Sequence, residues 1–204
     1  MLRISLLYAI VDAVFFPATS ELVAFSRELA AGGCTLLQYR NKSGNARRML
    51  EQARELKQHG GDSIRLIMND RADMCLAADF AGVHVGQQDL SPESVRGVIG
   101  PDRWLGLSTH NPEQLREADL SSADYLAIGP IFATSSKDNP DPVVGLKGLR
   151  QARQLTRKPL VAIGGITRAN AASVREAGAD SVAVISDLLR DPRKSAEEFF
   201  RVLR

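Results

Sequence analysis

Leu66-Ile67-Met68-Asn69-Asp70-Arg71-Ala72-Asp73 opens the segment on which the fold turns, and Gly82-Val83-His84-Val85-Gly86-Gln87-Gln88-Asp89 closes it. An apolar run ends in Asn69-Asp70, a helix-length stretch follows, and a second apolar run, residues 82–86, ends near Asp89. This rhythm predicts two neighbouring parallel strands, each with an acidic side chain at its C-terminal end. Mg²⁺ takes oxygen ligands and is commonly held by one or two carboxylates together with substrate phosphates, so the two aspartates form a candidate diphosphate platform. Asn and Asp ahead of a helix are also favoured N-caps, which leaves Asp70 open between capping and metal binding. Asp89 stands apart, because Ser91-Pro92 already reads as an N-cap and first helical residue.

The same alternation extends in both directions. Upstream, residues 4–11 are an unbroken apolar run, as expected of a strand buried on both faces. A helix follows over residues 20–31, with Leu22, Phe25 and Leu29 on one face, closed by Gly32-Gly33. Residues 34–40 form the second strand. Its end carries Gln38 and Arg40 on one side by alternation, with Lys42 beyond. Lys42 reads equally as a solvated surface charge, whereas two polar groups at the end of an apolar strand are harder to explain as surface. Met49, Ala53 and Leu56 mark the next helix, and residues 63–68 the third strand.

Downstream, a helix over residues 92–98 leads to a strand at residues 104–108 and then to Thr109-His110-Asn111-Pro112. A helix at 113–118 and a strand at 125–129 follow. Residues 131–144 are then a polar, Pro-containing loop of unusual length for an α/β unit. Within it Thr134-Ser135-Ser136-Lys137 gathers hydroxyls and a cation suited to phosphate oxygens, although a solvated loop has the same composition. Leu149, Ala152 and Leu155 line a helix. Strands at 160–164 and 181–185 end in Gly164-Gly165 and Ile185-Ser186, separated by a short helix at 170–177, and a last helix covers 196–203.

Eight strands alternating with helices, without hairpin signals or a linker, predict a (β/α)₈ TIM barrel of the α/β class in a single domain, residues 1–204. An open doubly wound sheet would carry a Gly-rich fingerprint after the first strand, and Asp12-Ala13-Val14-Phe15 is not one. In such barrels the active site lies at the C-terminal strand ends, and phosphate commonly binds after strands seven and eight. Glycine at 164 and 165 would let an oxyanion approach backbone N–H groups, or would simply make a tight turn.

Composition narrows the function class. The chain has 204 residues, 44% hydrophobic and 25% charged, with a net charge of +2, which gives no bulk electrostatic argument for nucleic acid. No stretch approaches the ~20 apolar residues of a membrane span. Cys34 and Cys75 fit neither a disulfide framework nor a metal cluster, and with an N-terminal apolar run too short for a signal core they point to a reduced, cytoplasmic setting. A homo-oligomer is left open. His84, within a strand, and His59, near a helix end, read as structural.

Seven motifs then fall at strand ends in order. Gln38-Tyr39-Arg40-Asn41-Lys42, Asn69-Asp70, Gly86-Gln87-Gln88-Asp89, Leu107-Ser108-Thr109-His110, the stretch Gly129-Pro130-Ile131-Phe132-Ala133-Thr134-Ser135-Ser136-Lys137, Ala162-Ile163-Gly164-Gly165-Ile166 and Val184-Ile185-Ser186 together closely resemble the thiamine-phosphate synthase family over essentially the whole chain. The resemblance implies a transferase of thiamine biosynthesis that joins hydroxymethylpyrimidine diphosphate to a thiazole phosphate and releases diphosphate. It further implies that Gln38, Arg40, Lys42, Asn69 and Lys137 hold the pyrimidine diphosphate, with Asp70 and Asp89 on Mg²⁺ and Ser108 near the pyrimidine and diphosphate. Thr134, Ser136, Gly165, Ile185 and Ser186 would receive the thiazole phosphate, while Arg40, Lys42, Ser108 and Lys137 would act on the reacting groups. Where this chain has Ser136 the family usually has threonine, and where it has Asn41 and Gln88 an acid. The first difference keeps the hydroxyl, and the others lie outside the matched ligand set. Two rivals stand beside this reading: a thiazole tautomerase of the same barrel family, with a histidine at the place of His110, and a non-catalytic sensor of phosphate ligands. The complete set of Asn69, Asp70, Asp89 and Lys137 favours the synthase over the tautomerase.

Overall fold

The structure is a computed structural model that describes residues 2–61, 63–134 and 141–204. Its eight strands are β1 (Leu7–Asp12), β2 (Leu36–Arg40), β3 (Arg65–Asn69), β4 (Gly82–Val85), β5 (Trp104–Thr109), β6 (Tyr125–Ile128), β7 (Leu160–Ile163) and β8 (Ser181–Val184). The helices between and after them are α1 (Thr19–Ala31), α2 (Ala46–His59), α3 (Ala72–Ala77), α4 (Pro92–Ile99), α5 (Pro112–Leu120), α6 (Gly145–Leu155), α7 (Ala171–Glu176) and α8 (Pro192–Leu203). Every strand pairs in parallel with its sequence neighbour, and β8 pairs back to β1 through Leu7–Val182 and Ala9–Val184, closing the (β/α)₈ barrel.

Alternation along the strands sorts the apolar residues into two cores. One side of each strand meets the helices: Leu7, Ala9 and Val11 of β1, with Leu37, Leu66, Val83, Leu105 and Leu126, pack against Leu22, Met49, Val95, Leu115 and Phe199. The other side fills the barrel, where Tyr8, Ile10, Leu36, Ile67, Tyr125, Ala127, Val161 and Ala183 form a second cluster. Because strands buried on both faces have no polar side, they read as apolar runs, and the fold was visible for that reason. Each fully buried Val, Leu, Ile or Phe contributes about 1.5–3 kcal/mol relative to exposure, so both layers are required for a stable barrel.

Several element boundaries differ from expectation by one or more residues, those of β1 and the last helix by most. β1 begins at Leu7 rather than residue 4, since its pairing with β8 starts there. The last helix starts at Pro192, four residues ahead of the expected start, where Asp191 accepts from the Lys194 N–H at 3.3 Å. The end of β8 turns directly into a 3₁₀ turn, Ser186–Leu188, that the sequence pattern did not reveal. Residues 131–134 and 141–144 carry no regular structure, as expected of that long connection.

Candidate active site

The polar residues anticipated at strand ends converge on the C-terminal rim of the barrel. β1 ends at Asp12, which is buried and ion-paired with Arg40 at the end of β2. Its other carboxylate oxygen accepts from the Val14 N–H at 3.1 Å. A buried carboxylate so held fixes where the guanidinium sits, leaving its other N–H groups to meet an anion. Asp12 was not singled out from the sequence, where it read only as a polar end to an apolar run.

Lys42 extends from the loop after β2 to an ion pair with Asp70. Asp70 follows β3 with φ +60, a left-handed conformation uncommon outside glycine and concentrated at functional sites. Capping does not account for it: α3 has Arg71 at its N-cap position and no side-chain cap. Asp89 is likewise free of helix duty, because Ser91 accepts from the Ser94 N–H at 3.2 Å and caps α4. Asp89 instead accepts from the Gly86 N–H at 2.7 Å.

Asp89 is exposed as a residue, yet its carboxyl lies against the Gly86 turn and beside Asp70. Partial desolvation, reinforced by the Asp70 carboxylate, pushes it above the ordinary range, against the Gly86 N–H and Lys42, which favour the anion. Two mutually repelling carboxylates with a lysine alongside fit a hard divalent cation. Among the described residues no third His, Cys, Asp or Glu joins them, so the remaining ligands would be substrate phosphate and water, as Mg²⁺ prefers.

A second region of the rim lies between β5 and β8. Ser108, His110, Pro130, Thr134, Gly164, Gly165, Ile185 and Ser186 line one pocket there. The tight-turn reading of the glycine pair holds. Gly164 and Gly165 have φ +97 and +63, and a Cβ on Gly165 would lie 2.5 Å from the Ala133 carbonyl oxygen, so the turn itself demands glycine. The same turn exposes its backbone to the pocket. Asn170 secures it, donating to the Gly165 carbonyl at 3.0 Å and accepting from the Thr167 N–H at 2.8 Å.

Ser108 sits where the two regions meet. Its Oγ is 2.8 Å from His84 Nε2, and its carbonyl accepts from the Gln87 amide at 2.6 Å. His110 does not start α5, which Asn111 caps. Its ring Nδ1 lies 2.6 Å from the Gly129 carbonyl. Thus Gln38, Arg40, Lys42, Asn69, Asp70 and Asp89 stand at the ends of β2–β4, and Thr134, Gly165, Ile185 and Ser186 at the ends of β6–β8. Ser136 and Lys137 lie outside the described residues.

A family model described as thiamine monophosphate synthase matches residues 7–188, which takes in every strand of the barrel. The chain belongs to that family. A thiamine-phosphate synthase of Koribacter versatilis is 62% identical over 99% of this chain and 97% of its own length. One from Chloroflexus aurantiacus is 44% identical over 88% of this chain and 83% of its own. The solved thiamine phosphate pyrophosphorylase of Pyrococcus furiosus superposes with a TM-score of 0.85 at 33% identity, covering 97% of this chain and 95% of that one. The resemblance drawn from seven short motifs is therefore a family membership, and the enzyme is a synthase-family barrel. No helix among the described residues is long and apolar enough to cross a membrane.

The sequence reading missed the inner support of this site. His84, set aside as structural, touches Ser108, and it does so within a buried polar cluster that includes Tyr8, Gln38 and Tyr125. One signal available was a polar His84 inside the otherwise apolar Gly-Val-His-Val-Gly run.

Proposed function

We propose that this chain condenses hydroxymethylpyrimidine diphosphate with a thiazole phosphate to give thiamine phosphate and diphosphate, in the cytoplasm, with Mg²⁺ held by Asp70 and Asp89. The observation that supports it most is the division of the rim into a carboxylate and cation cluster at β2–β4 and a glycine- and hydroxyl-lined pocket at β6–β8, with Ser108 between them. One half suits a diphosphate, the other a phosphomonoester.

The chemistry follows from what these side chains supply. The methylene carbon–oxygen bond breaks with its electron pair leaving on the diphosphate, and the thiazole nitrogen lone pair then forms the new carbon–nitrogen bond. No proton moves in either step, so no nucleophile–base dyad is needed. Arg40, fixed by Asp12, and Lys42 neutralise the leaving charge, together with Lys137 in the reading from the family motifs. When bound, Mg²⁺ would supply further Lewis-acid stabilisation of the departing oxygens. Gln38, Asn69 and Ser108 orient the pyrimidine diphosphate, and Thr134, Ser136, Gly165, Ile185 and Ser186 hold the thiazole phosphate in line, so that the bimolecular step becomes effectively unimolecular. Chromatographic detection of thiamine phosphate from the two substrates tests the proposal. Absence of product from folded protein that binds both would refute it.

A further inference from the structure

A chain of hydrogen bonds crosses the barrel interior beneath the active site. Gln38 Nε2 donates to the Tyr8 hydroxyl at 3.0 Å, and the Tyr8 and Tyr125 hydroxyls are 2.9 Å apart. Tyr125 OH is 3.1 Å from His84 Nδ1, and His84 Nε2 is 2.8 Å from Ser108 Oγ. The five side chains come from β2, β1, β6, β4 and β5 in turn.

Proton counting gives this chain a direction. Tyr8 and Tyr125 are 1% and 0% exposed, and burial pushes both phenols far above their ordinary pKa, so each keeps one proton that needs an acceptor. Among the described residues the Tyr8 hydroxyl meets Gln38 and Tyr125. It accepts from the first and therefore donates to the second. The Tyr125 proton then goes to His84 Nδ1. An imidazole that accepts at Nδ1 carries its proton on Nε2, facing Ser108.

A second observation singles out the same contact. Gly106 lies in the interior of β5, where glycine ordinarily weakens a strand. A Cβ there would stand 2.2 Å from the Tyr125 ring and 2.3 Å from His84 Nδ1. Glycine at 106 is thus the space through which Tyr125 and His84 meet.

We propose that His84 is a positioning residue that donates from Nε2 to Ser108 Oγ and so leaves the Ser108 proton directed into the active site. Ser108 is then a committed donor, suited to a phosphate oxygen or an unprotonated ring nitrogen and unsuited to a ligand N–H. The kinetic part rests on the function proposed above; the tautomer part does not.

Two measurements decide it. In protein labelled with ¹⁵N-histidine, the ring signals of His84, identified by their loss in His84→Gln, should show a pyridine-like Nδ1 and a pyrrole-like Nε2. A pyrrole-like Nδ1, or protons on both nitrogens, overturns the proposal. In kinetics, His84→Leu should lower kcat about 10- to 100-fold, the scale of losing a residue that orients a working side chain, with little change in KM for the thiazole phosphate. His84→Gln, whose amide can still donate, should lose much less. In a Ser108→Ala background the His84→Leu change should cost nothing further, and an undiminished cost there overturns the proposal. If His84→Leu does not fold, the ring spectrum of the unmodified protein still decides. If that protein makes no thiamine phosphate, the functional reading fails while the spectrum continues to report on the tautomer.

Discussion

Lys42, on the loop after β2, is ion-paired with Asp70 at the end of β3. The pair joins the element assigned to the leaving group with the element assigned to the metal, and Asp89 lies within electrostatic reach of both. Charge balance at this corner of the rim is therefore set by three side chains from three connections.

Lys42→Ala separates site from scaffold. The Lys42 side chain is 54% exposed, and exposed ion pairs contribute only about 0.2–1 kcal/mol, so the melting temperature should hardly move. Turnover should fall about 10²–10³-fold, as when one electrostatic donor to a developing charge is removed. Calorimetry and steady-state kinetics on one preparation check both halves.

Asp89→Asn should respond to pH in a defined direction. With its folded pKa raised, the Asp89 carboxyl binds more protons folded than unfolded just above the ordinary carboxylate range, so its contribution to stability falls as pH rises through that window. The metal-free variant should be slightly more stable than the unmodified protein at neutral pH, and the difference should vanish as pH drops below the window. Turnover should nonetheless fall by orders of magnitude, since metal stabilisation of a transition state is worth several kcal/mol and each ~1.4 kcal/mol is tenfold. Early melting with turnover preserved would make Asp89 structural.

Ser186→Ala should act on one substrate. Ser186 lines the pocket between β5 and β8, apart from the carboxylate cluster. A hydrogen bond to an anion is worth roughly 1.5–3 kcal/mol, so KM for the thiazole phosphate should rise about 10- to 100-fold. An effect confined to the pyrimidine diphosphate would contradict the division of the rim.

Cys34 and Cys75 should be inert in the folded protein. Both are buried and unpaired, and burial raises each thiol to about 11. An unfolded thiol titrates near ~8.5, so the unfolded chain loses these protons first and stability should fall as pH climbs from ~8.5 towards 11. Thiol reagents at neutral pH should label neither cysteine until denaturant is added; rapid native labelling would contradict the packing.

The fold was legible because parallel strands buried on both faces leave apolar runs, each stopped by a polar cluster at the rim. Gln38, Arg40, Asn69, Asp70 and Asp89 were legible as those clusters. Asp12 was not, since one aspartate ending an apolar run looks the same whether it faces solvent or anchors Arg40. The Tyr8–Tyr125 contact was hidden more deeply. Tyrosine in a strand reads as apolar, and residues 117 apart in sequence meet only when the barrel closes. Gly106 carried a trace of the adjoining Tyr125–His84 contact, as an interior strand glycine without a turn to explain it.

The central claim is that the two halves of the rim work as one site on two substrates. The most direct measurement follows diphosphate and thiamine phosphate in a single reaction containing both substrates, with and without a chelator. The two products should appear in equal amounts, stop together when EDTA is added, and resume together when Mg²⁺ is restored. Diphosphate release without thiamine phosphate, or equal turnover in the presence of EDTA, would contradict the account.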